Sequence, residues 1–146
     1  MLELIEKGNI FNSSCEFLVN PVNCVGVMGK GLALEFKNKY PLNFEIYKKA
    51  CDNASFNIGN LLIVPVDNKF IVNFPTKKHW RNKSDLEFIK IGLEELKIAI
   101  KDFNIKSIAL PKLGCGLGGL DWNEVFDLIK DFHNSIVDNV LVQVFI

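Results

Sequence analysis

GCGLGG (Gly114–Gly119) lies between an apolar run of strand length, SIALPKL (107–113), and a segment with helical spacing, DWNEVFDLIKDF (121–132). Read literally it is GxGxxG, the pattern with which the first strand-to-helix turn of a βαβ array holds a dinucleotide. That use needs several further strands and helices after the motif, and only one helix and one strand follow it here, which argues against an NAD-type domain. The physical core of the motif survives, because glycines let backbone amides approach an anion closely and a following helix adds partial positive charge. A diphosphate is the natural guest. A purely conformational turn would need fewer than the four glycines found in these six residues.

Outward from this loop, apolar runs of strand length recur: LELI near the start, EFLVNPV (16–22), LLIVPV (61–66), KFIVNF (69–74), SIALP (107–111) and VLVQVFI at the end. Helical spacing fills the intervals. Leu86, Ile89, Leu93, Leu96, Ile100 and Phe103 form one stripe over 84–103, with Ser84 and Glu87 in a capping-box pattern. Val125, Leu128, Ile129 and Phe132 form another from Trp122 to His133, with Asp121 and Glu124 at the N-cap and N3 positions. Further helices are expected from Leu32 to Tyr40, stopped by Pro41, and from about Phe44 to Asp52. Continuous apolar strands alternating with helices predict a three-layer α/β/α fold on a mainly parallel sheet. LLIVPV and KFIVNF, joined by Asp67-Asn68, can pair as a hairpin, which makes the sheet mixed. The chain's 146 residues, 49% of them hydrophobic, suit one compact domain over 1–146.

Lys+Arg and Asp+Glu are equal at 17 each, so no general basic field captures nucleic acid and any polyanion binding must be local. The N-terminus has no cleavage site, and no apolar run approaches the roughly 20 residues of a membrane span, so a cytoplasmic protein off the membrane is expected. Cys15, Cys24, Cys51 and Cys115 contain no CxxC pair and read as reduced thiols. Cys24 and Cys115 fall in glycine-containing loops, but a nucleophilic cysteine wants a histidine, and the chain has only His79 and His133. Two histidines and scattered acids make no metal-ligand set, so no metal and no cofactor are expected.

In an open α/β sheet, ligands bind beyond the carboxyl ends of the strands. Three loops qualify: 20–31, 73–84 and 113–122. The first, with Gly26, Gly29 and Gly31, is not a P-loop, since the GxxxxGK[ST] order is absent. Facing the 114–119 loop, it would wrap a diphosphate from the other side, with Asn20 and Asn23 available to ribose hydroxyls.

Together, KGNI (7–10), NPVNCVGVMGKGLA (20–33) and LPKLGCGLGGLDW (110–122) resemble the macrodomain family, α/β/α modules that bind ADP-ribose. VGVMGKGLA, NFPTKKHWR and GCGLGGLDW more narrowly resemble its DarG branch, antitoxins that remove ADP-ribose from thymine bases modified by the toxin DarT. A human terminal ADP-ribose protein glycohydrolase is similar at greater distance. The resemblance implies that Asn9 and Ile10 contact adenine, with Asn9 where macrodomains usually carry an aspartate. It implies that Asn23 contacts the distal ribose, that Gly114, Cys115, Gly116, Leu117 and Gly118 hold the diphosphate, and that Gly29, Lys30, Gly31 and Leu32 complete the ADP-ribose site. Lys77 matches the catalytic lysine of that branch. Where the human relative has a second catalytic residue, an aspartate, this sequence has Gly118, and the DNA-acting branch likewise lacks the aspartate.

A lysine amine can attack an anomeric carbon of oxocarbenium character, and these loops offer no paired carboxylates of the ordinary glycosidase kind. Lys78, Arg81 and Lys83 are placed to meet DNA phosphates, and His79 or Trp80 to stack on a base; burial of Trp80 against the sheet is the equal alternative. The reading is an ADP-ribosyl glycohydrolase acting on thymidine in single-stranded DNA, working as a monomer, with ADP-ribosylated DNA as substrate and a DarT-type toxin as candidate partner. Removal of ADP-ribose from proteins, deacylation of O-acyl-ADP-ribose, and binding without catalysis are the alternatives. Antitoxins of that branch carry a second, C-terminal domain, so the sequence corresponds either to a fragment or to a stand-alone hydrolase.

Overall fold

The computed structural model describes residues 1–137 and 139–146. Among them, strands β1 (Leu2–Ile5), β2 (Phe17–Val22), β3 (Leu62–Val66), β4 (Lys69–Pro75), β5 (Ser107–Leu110) and β6 (Leu141–Phe145) form one sheet in the order β1-β6-β5-β2-β4-β3. All neighbours pair in parallel except β3 and β4, whose antiparallel register pairs Val66 with Lys69 across the Asp67-Asn68 turn. The sheet is therefore mixed in the way the short polar link suggests.

Side-chain alternation along the strands makes the three layers. Phe17 and Val19 of β2, Val72 and Phe74 of β4, and Val142 and Val144 of β6 pack with α3 (Leu86–Asp102) and α4 (Trp122–Ser135) on one face. Leu18, Ile71 and Ala109 point the other way, toward Phe36 and Tyr40 at α1 (Gly31–Lys39), while Val22 packs with Tyr47 of α2 (Pro41–Asp52). No helix among the described residues is long and apolar enough to cross a membrane.

Two helix boundaries differ from the sequence expectation. Pro41 does not merely stop α1; it opens α2 from the N1 position, where its missing N–H costs nothing and its fixed φ suits a helix. The cap of α3 is Asp85, which accepts from the Glu87 N–H at 2.9 Å, rather than Ser84. Ser84 is drawn out of capping position because its own N–H donates to the Gly118 carbonyl at 2.9 Å, which buries it against the glycine loop. Asp121 caps α4 as its sequence position indicates, accepting from Asn123 N–H at 3.1 Å.

Candidate functional site

The carboxyl ends of β2, β4 and β5 open into one cavity of about 380 Å³, walled by all three loops that the sequence singles out. From the first and the start of α1 come Asn23, Val27 and Gly29–Ala33, from the second Thr76, Lys77, Trp80 and Ser84, and from the end of β5 and the third loop Pro111, Lys112 and Gly114–Gly118.

Two of the walls face each other. A Cβ added at Gly31 would meet Leu117 Cδ1 at 3.4 Å, so the glycine loops approach to side-chain contact at that point. Gly31 opens α1, whose cap residue Lys30 makes no side-chain capping bond and whose first turn holds no acid. The first amides of that helix therefore lie on the cavity wall without an intrahelical acceptor, a setting that favours an anion. On the opposite side, Gly114 has φ +74°, and a Cβ there would fall 2.6 Å from Leu120 Cδ1, so only glycine fits. The helix after this loop is not its anion site. Residues Gly116–Gly118 form a separate 3₁₀ turn, and α4 is capped by the Asp121 carboxylate.

Lys77 is held by its neighbours. Thr76 N–H donates to Val22 O at 2.9 Å and Cys24 N–H to Lys78 O at 3.0 Å, so the β2–β4 ladder continues past the strands with Lys77 between two of its bonds. The half-buried side chain lines the cavity and takes part in neither of the two salt bridges among the described residues, Lys48–Asp52 and Lys130–Asp127. With Lys30 and Lys112, it makes three lysines on a wall that carries no carboxylate. A neutral chain thus presents a locally positive cavity, and Lys112 is a member that the sequence reading does not reach.

Asn23 shapes the first loop. Its Oδ1 lies 2.7 Å from the Tyr47 hydroxyl and accepts from Val25 N–H at 3.0 Å, and its Nδ2 donates to Val27 O at 2.8 Å. Burial pushes the Tyr47 phenol pKa up, which keeps it a neutral donor. One Nδ2 hydrogen of Asn23 is left for a ligand.

Asn9, Ile10 and Asn20 lie off the cavity wall. Asn9 spends its Oδ1 on Phe11 N–H at 3.0 Å, capping the 3₁₀ turn Ile10–Asn12, and Ile10 is buried in the cluster of Leu18 and Phe36. Asn20 is fully buried beneath the loop, its Nδ2 donating to Asn73 Oδ1 at 3.2 Å. Asn9 is exposed and its Nδ2 is not used in that cap, whereas the Asn20 amide is buried and committed to Asn73.

Trp80 is 47% exposed, so the alternative of burial against the sheet does not hold. The Arg81 guanidinium sits 4.7 Å from its ring centroid and the His79 ring 5.2 Å away, while His79 Nδ1 accepts from Arg81 N–H. Lys78 instead points over the Phe88 ring at 5.8 Å. Of Lys78, His79, Trp80 and Arg81, Trp80 is the one on the cavity wall.

The cysteines are unsuited to nucleophilic work. Burial first, and then the neighbouring Cys51, push the Cys24 thiol up to about 11, and burial raises Cys115. At pH 8 a thiol at 11 holds roughly a hundredth of the thiolate of one at 9. Alkylation of Cys24 by iodoacetamide, followed by peptide mapping, is therefore expected to run on the order of 100-fold slower in the native protein than in urea. Equal rates would contradict the assignment. Among the described residues no group of three His, Cys, Asp or Glu is placed to hold a metal ion.

The macro domain family model matches residues 19–129. The chain is 50% identical over 136 residues to a DNA ADP-ribosyl glycohydrolase of Mycobacterium tuberculosis, a match covering 90% of this chain and 39% of that protein. It thus spans about two fifths of the length of that relative. Among solved structures, the macrodomain of Mycobacterium tuberculosis DarG matches with a TM-score of 0.94 at 43% identity, covering 99% of this chain and 97% of that one. Thermosipho africanus DarTG in complex with ADP-ribose matches with a TM-score of 0.89 at 33% identity, over 98% of this chain and 41% of that one.

Proposed function

The chain belongs to the macrodomain family, and from that premise we propose that its cavity binds ADP-ribose and hydrolyses the N-glycosidic bond joining ADP-ribose to thymidine in single-stranded DNA, reversing the work of a DarT-type toxin. The observation that carries this reading is the wall itself: two glycine loops that face each other, three lysines and no carboxylate. That composition suits a diphosphate between the amides opening α1 and the 114–118 loop, with Lys30 and Lys112 adding charge. The relatives named for DNA ADP-ribosyl glycohydrolysis, and the related structure with ADP-ribose, support ADP-ribose as the ligand and its removal from DNA.

Lys77 is the nucleophile in this reading. Its neutral amine attacks C1″, the bond from C1″ to the thymine nitrogen breaks, and the departing thymine takes a proton while the amine loses one. Water then releases ADP-ribose and frees the lysine. Trp80 stacks on the modified base or its neighbour, and Arg81, Lys78 and Lys83 meet the flanking phosphates. Asn23 offers its remaining Nδ2 hydrogen to the distal ribose. The cavity wall is complete within one chain, so a monomer suffices. A base carrying ADP-ribose on its pairing edge is excluded from a duplex, so single strands are the substrate.

The test offers the protein three substrates: an oligonucleotide with thymidine-linked ADP-ribose, alone and annealed to its complement, and a peptide with side-chain-linked ADP-ribose. Release from the single strand at least tenfold faster than from the other two is expected. Equal cleavage of the annealed form removes the single-strand requirement, and preferential cleavage of the peptide overturns the DNA assignment. Tight ADP-ribose binding without release from any substrate would leave a binding module.

A further inference from the structure

We infer that Ser84 is a ligand-contacting residue of this cavity, its hydroxyl accepting a hydrogen bond from the distal ribose of ADP-ribose; this rests on the ADP-ribose reading above. Ser84 is 8% exposed, lines the cavity, and its Oγ is one of two buried side-chain atoms among the described residues with no hydrogen-bond partner. Buried hydroxyls are nearly always paired, so an unpaired one on a cavity wall points to a group supplied from outside. The other orphan, Asn20 Oδ1, belongs to a residue that does not line the cavity.

Neighbouring structure leaves the hydroxyl free for this use. Asp85 caps α3, so Ser84 Oγ is not spent on the helix. Its backbone N–H is fixed to Gly118 O at 2.9 Å. A Cβ built on Gly118 would collide with Ser84 Oγ, so the hydroxyl fills the room that any side chain at 118 would need. The bare glycine and the serine are two halves of one packing arrangement, in which the polar group near the loop comes from residue 84.

The chemistry of the rest of the wall says which part of the ligand this hydroxyl serves. Lys30, Lys112 and the opening amides of α1 are donors and match the acceptor-only diphosphate. Ribose hydroxyls must also donate, and Asn23 Oδ1 is already taken by Tyr47 and Val25. Ser84 Oγ supplies an acceptor. It shares its loop with Lys77, so the ribose it meets is the one whose C1″ the lysine attacks. Ser84 is thus a positioning residue for the sugar, uncharged and unable to compete with Lys77 for protons.

Calorimetric titration of wild type and Ser84→Ala with ADP-ribose and with ADP, which lacks the distal ribose, tests this, beside thermal melts of the free proteins. The expected result is about a 3- to 10-fold weaker ADP-ribose affinity in the variant, the range of one neutral hydrogen bond. ADP affinity and the melting midpoint of the free protein are expected to hold, because the removed hydroxyl has no partner in the protein. An unchanged ADP-ribose affinity overturns the inference. Equal losses for ADP-ribose and ADP, or a lowered midpoint, overturn it as well, since they assign Ser84 to the loop's structure. A wild type that binds neither ligand refutes the ADP-ribose reading itself, an outcome distinct from all of these.

Discussion

Lys77→Ala is expected to lower the rate of ADP-ribose release from a thymidine-linked single-stranded oligonucleotide by roughly 10³-fold or more, with the dissociation constant for free ADP-ribose within about threefold of wild type. The separation follows from where Lys77 sits. Its backbone is fixed by the Thr76–Val22 and Cys24–Lys78 bonds, which involve no side chain of residue 77, so truncation leaves the loop in place. The side chain has no ion pair to lose, and Lys30, Lys112 and the glycine-loop amides remain for the diphosphate. No carboxylate lines the cavity to take over the chemistry. Lys77→Arg distinguishes nucleophile from counter-charge, because guanidinium keeps the positive charge and holds no usable lone pair. Both variants are expected to be equally inactive in single-turnover assays. An arginine variant retaining a tenth or more of the wild-type rate would show that charge, rather than covalent attack, is what residue 77 supplies.

How far the sequence reached depended on what kind of physics fixed each feature. Periodicity is local and strong, so the strands, the stripes of α3 and α4 and the hairpin at Asp67-Asn68 were legible without coordinates. Boundaries set by tertiary bonds were not. Ser84 and Asp85 are both good capping residues, and the choice between them was made by a carbonyl at Gly118, distant in sequence. The three loops were legible as a site because α/β topology sends them to one edge, but their individual side chains were less so. Asn9 and Asn20 could equally serve a ligand or the fold, and the sequence does not show the bonds to Phe11 N–H and Asn73 that they make within the fold. Lys112 escaped notice because a lone lysine beside a strand end carries no pattern, and Ser84 reads only as a helix cap because its sequence pattern points there. The equal totals of acidic and basic residues concealed the positive wall, since net charge says nothing about where the charges lie.

Asn73→Leu is expected to cost about 4 kcal/mol of unfolding free energy in urea titration, with an unchanged m-value. Asn73 is fully buried between the sheet and α2, where it exchanges two amide bonds with Asn43 (2.8 and 3.1 Å), accepts from Asn20 Nδ2 at 3.2 Å and donates to Leu62 O at 3.1 Å. Leucine is close in volume, so the loss is chiefly electrostatic. Asn43 would be left with both ends of its amide unpaired, and Asn20, whose Oδ1 already lacks a partner, would keep only its long contact to Met28 sulfur. Each stranded buried group costs about 1–3 kcal/mol, and there are at least two. Removing Asn43 as well should recover part of the loss, because a buried polar group without its partner is worse than an apolar pair of similar shape. Asn43→Leu in the Asn73→Leu background is accordingly expected to be more stable than Asn73→Leu alone, although each single change destabilises the wild type. If the double variant instead shows the sum of the two single losses, the amides act independently and the network account fails. The consequence reaches the cavity, since Asn20 and Asn73 are register partners on β2 and β4, two and four residues before Val22 and Lys77 respectively. These amides tie down the strand ends from which the loops bearing Asn23 and Lys77 depart, so a variant that loses them should bind ADP-ribose more weakly even where it remains folded.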